Sequence, residues 1–218
     1  MNGQQLVEAV REAGATELDR LGSDKYLIAA TGADLERAPV LRSVAESAAS
    51  GRATFSRWAD EATGDAASAF ETAAEGEREQ FERVVDSLSA LPNDDADAAA
   101  TIDETDAPLH AALADTDGTV ERVAAAFVGR SLVADRTLLQ VVNFFVNEAD
   151  EGRADLAREL RSGAGERLDE GVDLLDSLCE TEADWERARR AAEAVVEAAY
   201  EEYASALDAM GVDPKPVC

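Results

Sequence analysis

Along most of this chain apolar residues recur at three- and four-residue spacing, the period of one helix face and not of a strand. Over 38–62 the stripe is Leu41, Val44, Ala48, Phe55, Trp58 and Ala62; over 65–90 it is Phe70, Ala73, Ala74, Phe81, Val84 and Leu88, with Glu77 set inside it. A third stripe, Leu156, Leu160, Ala164, Leu168, Gly171, Leu175 and Leu178, predicts a helix over 153–179. Residues 119–149 are apolar on more than one face, through Val123, Phe127, Leu132, Leu138, Val141, Val142 and Phe145, which predicts a central helix or one at a subunit contact. Residues 3–31 read as an N-terminal helix with a break near Gly22-Ser23, and Thr181 as the N-cap of a last helix that ends at Gly211. No alternating run rich in Val, Ile and Thr is present, so the expected class is all-α.

The turns arrange these helices in pairs. Gly64-Asp65 and Glu151-Gly152 are short connections that send each following helix back antiparallel, giving a first hairpin over 38–91 and a second over 119–179. The hairpins share fragments: Val44-Ala45-Glu46 with Val133-Ala134-Asp135, Gly76-Glu77-Arg78 with Gly165-Glu166-Arg167, and Asp86-Ser87-Leu88 with Asp176-Ser177-Leu178. Two hairpins joined by one long connection, here an acidic crossover over 92–118, describe a ferritin-like four-helix bundle, to which this chain adds N- and C-terminal helices. The whole chain is expected to be one helical domain.

Composition adds where such a protein would work and what it would not do. Net charge is −27 over 218 residues and Lys25 and Lys215 are the only lysines. Such self-repulsion is largely screened at about 1 M salt, so the expectation is a cytosolic, salt-adapted protein. A nucleic-acid surface would need a basic stripe, and none is visible. The longest apolar run, Leu138 to Val146, is interrupted by Gln140 and Asn143 and falls well short of the roughly 20 residues that cross a bilayer. Neither nucleic acid nor membrane is expected as a partner; a second copy of the chain, meeting through helix 119–149, is. Cys179 and Cys218 form no CxxC and no disulfide framework.

Residues 70–84, FETAAEGEREQFERV, resemble the second helix of the rubrerythrin branch of the ferritin-like family, in which a Phe seven residues ahead leads into a Glu-x-x-His ligand pair. Here Phe70 leads into Glu77, and Gln80 stands where the histidine would be. The resemblance covers these fifteen residues closely, 40–91 more weakly and 119–179 weakly. It implies a carboxylate-bridged di-iron or manganese centre that reduces peroxide or oxidises ferrous iron. The iron–sulfur knuckle of some relatives is missing, since no cysteine pairs could hold it.

Helical register sorts the residues that could build that centre. Glu77 lies inside its stripe and should point inward, where a lone carboxylate needs a metal, a cation or a proton. Gln80 falls at the edge of the same face, and an amide is a poor substitute for imidazole. Glu46 falls opposite Phe55 and Trp58 and is expected to meet water. Asp135 falls between Phe127, Val128, Leu138 and Val142 and is expected to be buried, whereas Glu166 and Asp169 turn outward. Aligned by stripes, Glu77 corresponds to Arg167. Two readings follow. In the first, the metal centre has become a buried polar cluster of Glu77, Gln80, Asp135 and Arg167, joined by Arg52, in a metal-free binding or structural protein. In the second, Glu46, Glu77, Asp135 and Glu166 hold iron or manganese in an oxidoreductase. The only histidine, His110, lies in the crossover and is expected to be a solvated loop residue. No Gly-rich phosphate loop is present, because Gly163-Ala164-Gly165 sits within a helical pattern without a preceding strand.

Overall fold

The structure is a computed structural model that describes residues 1–91, 102 and 107–214. The described residues are helical throughout, without a strand among them. The N-terminal stretch is divided at Gly14 and again near Gly22 into α1 (Gly3–Ala13), α2 (Ala15–Leu21) and α3 (Lys25–Thr31). The first hairpin is α4 (Arg37–Glu61) and α5 (Gly64–Ser89), turning at Gly64, whose φ of 63° is left-handed backbone that glycine adopts without strain. About half of the crossover expected over 92–118, residues 92–101 and 103–106, lies outside the described residues, and its last part forms α6 (Pro108–Ala114), opened by a proline at its first position.

The second hairpin begins with α7 (Thr119–Val123), which continues without a cap into a π-helical turn (Ala124–Gly129) and then α8 (Arg130–Asn147). α9 (Glu151–Leu178) returns along it, started by Asp150, whose carboxylate accepts from the Arg153 backbone N–H. α10 (Glu182–Ala209) opens with a reciprocal capping box: the Asp184 N–H donates to Thr181 Oγ1, and the Thr181 N–H donates to the Asp184 carboxylate.

These helices form a bundle in which α4 packs on α5 and α8 on α9, while α5 and α9 join the pairs. α10 lies across the π turn and α7, and α6 and α1–α3 pack against it from outside. The approach of α10 is close. A side chain on Gly129 would place its Cβ 2.6 Å from the Ala192 carbonyl oxygen. The apolar surface of helix 119–149 is therefore covered by its own chain: Val123 to Val128 are fully buried, and Val146 is the large apolar residue left exposed near its end.

Two apolar cores result. One gathers Phe55, Trp58, Phe70, Phe127, Leu175, Trp185 and Leu207, with Trp58 edge-on to Phe70 at 5.3 Å and Phe70 5.9 Å from Phe127. The other gathers Val40, Leu41, Val84, Leu88, Val141, Phe145 and Leu160. Along α4 the first core takes residues from Phe55 on and the second takes residues up to Ala45; along α5 the division falls between Ala74 and Val84. Between them lies a polar layer. No helix among the described residues is long and apolar enough to cross a membrane.

Candidate functional site

The polar layer is organised by Glu77, which the Phe70–Ala73–Ala74–Val84–Leu88 stripe of α5 carries inward and which has no solvent exposure. Arg130 of α8 meets it with both guanidinium nitrogens, Nη1 donating to Oε1 at 2.7 Å and Nη2 to Oε2 at 3.0 Å. Arg167 of α9 adds its Nη2 at 2.9 Å from Oε1. α4 supplies the Ser47 carbonyl, 3.4 Å from Arg130 Nη2, and Gly51. Any side chain on Gly51 would enter the pair, its Cβ standing 2.8 Å from Arg130 Nη2 and 3.1 Å from the Glu77 carboxyl carbon. All four hairpin helices thus meet at one point.

Burial by itself would raise the Glu77 carboxyl, but the Arg130 and Arg167 charges and the Arg130 hydrogen bonds outweigh it and hold Glu77 below the usual carboxylate range. Arg167 is lowered from the ordinary arginine value, first by burial and then by the like charge of Arg130, with Glu77 opposing both. Arg130 also lies over the Phe55 ring, Cζ 5.5 Å from its centroid, so the cation faces an aromatic surface on one side and a carboxylate on the other.

The sequence expectations are met unevenly. Glu77 and Arg167, the two positions related by the repeat, touch each other. Gln80 is half-buried on the wall of an adjoining cavity. Asp135 is a correction: its side chain is 44% exposed and accepts from Arg161 Nε at 2.9 Å, away from Glu77. The cause is the π turn just before α8. Its wider turn advances the helix more slowly than 100° per residue, so Arg130 comes inward and Asp135 moves to the flank facing α9.

Glu46 is a second correction, for it is half-buried on the cavity wall, where burial raises its carboxyl against the charge of Arg42. Arg52 is exposed, with Cζ 5.8 Å from the centre of the Phe81 ring, and takes no part. Glu166 and Asp169 are exposed. His110 is a third correction. Pro108 starts α6 and Leu109 and Leu113 bury its inner face, which carries His110 to 7% exposure beside the ion pair. Burial, then the charge of Arg130, push its imidazole down to about 3, with Glu77 opposing, so it is neutral; its Nδ1 has no hydrogen-bond partner.

Constant helical register does not account for the burial of Arg130. Its signal was there: a lone arginine inside Ala124-Ala125-Ala126-Phe127-Val128-Gly129-Arg130-Ser131-Leu132-Val133, where a charge at helical spacing has no outward face to use.

This donor set does not fit a carboxylate-bridged metal pair. Both oxygens of Glu77 are engaged by guanidinium groups, while Asp135 and Glu166 point elsewhere. Among the described residues no group of three His, Cys, Asp or Glu side chains comes together as metal ligands. What the arrangement can do is hold charge. Beside the ion pairs is a cavity of about 210 Å³, lined by Glu46, Gln80, His110, Arg130, Arg167 and Glu202 among apolar residues of α4 and α8–α10. Against known proteins the chain stands apart, with no matching family model and no significantly similar curated protein or solved structure.

Proposed function

We propose that this chain is a ferritin-like helical-bundle protein in which an Arg–Glu–Arg cluster replaces the metal centre, and that it acts by binding and not by redox catalysis. The observation that carries the reading is Glu77. It sits where the family resemblance puts a metal ligand, and its two oxygens receive three guanidinium contacts from the other hairpin. A guanidinium occupies the space and the lone pairs that a metal ion would need. Further support comes from the convergence of α4, α5, α8 and α9 on one buried point, the geometry of a bundle whose former centre has been kept as a polar layer.

The acidic surface and the near absence of lysine support a salt-adapted protein of the cytosol. The test is metal analysis of protein purified in high salt, followed by the same measurement on Glu77→Ala. No bound metal in the wild type is the expected result. About two irons or manganese ions per chain, lost in the variant, would overturn the reading in favour of a di-metal oxidoreductase.

A further inference from the structure

The cavity beside the ion pairs is walled by small residues. Ala29 and Ala30 of α3, Ala134 of α8, Ala164 of α9 and Ala199 and Ala206 of α10 line it, so four helices meet here without side chains long enough to fill the space between them. Its volume of about 210 Å³ is larger than the roughly 150 Å³ that accommodates a benzene ring. Where it borders the second core its lining is apolar, through Val44, Leu138, Val141 and Leu160. From there the lining passes to half-buried Ser43 and Glu46 and exposed Ala30, so the cavity reaches the surface beside α3.

Burial drives the titratable groups of this lining toward their uncharged forms. It raises the carboxyls of Glu46 and Glu202, opposed at the first by the charge of Arg42 and at the second by a hydrogen bond from the Leu109 N–H. It pushes the Tyr26 phenol up to about 12, aided by the charge of Glu202 and opposed by a hydrogen bond with Thr137, and it pushes the His110 imidazole down to about 3. The arginines are matched instead, Arg130 and Arg167 both meeting Glu77. The lining therefore carries cations and acids together and selects neither an anion nor a cation. Surroundings that disfavour charge on the protein's own side chains disfavour it on a guest as well. What the lining offers is uncharged donors and acceptors, Ser43, Gln80, Tyr26 and Thr137, beside apolar surface.

We propose that this cavity binds a small uncharged molecule that joins an apolar ring to a hydroxyl group, the ring among the alanines and the surface of Val44, Leu138, Val141 and Leu160, and the hydroxyl at the neutral polar groups of the lining. The ring fills the space that the alanines leave and supplies the close contacts that a gap between packed helices forfeits. A hydroxyl both donates and accepts, as those polar groups do, whereas a bare hydrocarbon would cover them without bonding to them. The proposal rests on the binding reading above and gives it a ligand class.

The test is an NMR titration of the wild-type protein at constant high salt with three probes of one shape and different charge: benzyl alcohol, benzylammonium and benzoate. The methyl signals of Val44, Leu138, Val141 and Leu160 report on the cavity. Saturable shifts are expected with benzyl alcohol, and each charged analogue is expected to bind at least about tenfold more weakly. Ala164→Leu fills the cavity without changing a charge and is expected to abolish binding of benzyl alcohol; Ala134→Leu, at a half-buried position of the same lining, serves should Ala164→Leu not fold. Shifts that do not saturate, a charged analogue that binds as tightly as the alcohol, or undiminished binding in a folded cavity-filling variant would overturn the proposal. Bound metal in the untreated protein would instead sink the reading beneath it, and that measurement is independent of the titration.

Discussion

The two apolar cores and the polar layer between them are built on the same helices by opposite means. In the aromatic core, Trp58, Phe70 and Phe127 fill space with rings, and a missing atom would leave a void. In the layer, α4 offers the Ser47 carbonyl and Gly51, whose lack of a side chain leaves the room in which Arg130 reaches across from α8 and closes on Glu77. The cores derive their stability from burying area, which any apolar side chain of similar volume supplies. The layer is different: desolvating three charges costs about what their mutual attraction returns, so its value lies in fixing which residues of four helices meet.

That contrast predicts that breaking the layer is worse than erasing it. Glu77→Ala strands two guanidiniums side by side in the interior and is expected to lower unfolding free energy by about 3–5 kcal/mol, measured by chemical denaturation at fixed salt. Replacing all three residues with apolar ones of similar volume, Glu77→Leu with Arg130→Met and Arg167→Met, is expected to be neutral or stabilising by about 1–4 kcal/mol. If the triple variant were as unstable as the single one, the layer would be a true source of stability and the comparison would fail.

The cores were legible in the sequence because regular helices preserve register: the Phe70 to Leu88 stripe is buried as periodicity requires, and Glu77 travels inward with it. The layer was legible through Glu77 on the first hairpin and Arg167 on the second. On the second, the π turn at Ala124–Gly129 breaks the constant rotation on which register arithmetic depends, so periodicity gives Arg130 no inward place and gives Asp135 a false one. The burial of His110 is hidden from periodicity for another reason. Its short helix has too few turns to show a period, and its burial is decided by α10 and the ion pair, which are distant in sequence.

The layer and the cores should also differ in their response to acid. His110 has a folded-state value of about 3 against roughly 6.5 when unfolded, so the unfolded chain binds the proton more readily. Its contribution is fully present above pH 6.5 and is lost as pH falls toward 3, at about 1.4 kcal/mol per pH unit. Between pH 6.5 and 5 the loss is therefore about 2 kcal/mol. Glu46 and Glu202, raised by burial, take up protons in the folded state and work in the opposite direction. Subtracting the pH–stability curve of His110→Gln from that of the wild type isolates the histidine, and a flat difference over this window would mean that the imidazole is solvated in solution.

The smallest effect is the sharpest, because it is a difference of sign within one hairpin. Gly51 and Gly76 both lie inside regular helix, α4 and α5, and replacing either with alanine should gain up to about 1 kcal/mol of helix propensity. At Gly76 nothing stands within 4 Å of the added Cβ, so Gly76→Ala is expected to keep that gain. At Gly51 the methyl would lie 2.8 Å from Arg130 Nη2, one of the two guanidinium nitrogens that donate to Glu77, so it must push apart the pair that defines the layer. Overpacking of that kind costs about 1–3 kcal/mol, leaving Gly51→Ala destabilised by about 1 kcal/mol. Denaturation midpoints of the two variants should therefore move in opposite directions from the wild type. A gain at both positions would mean that Arg130 can retreat without loss, and that the ion pair is held by the space around it more loosely than the crossing of four helices implies.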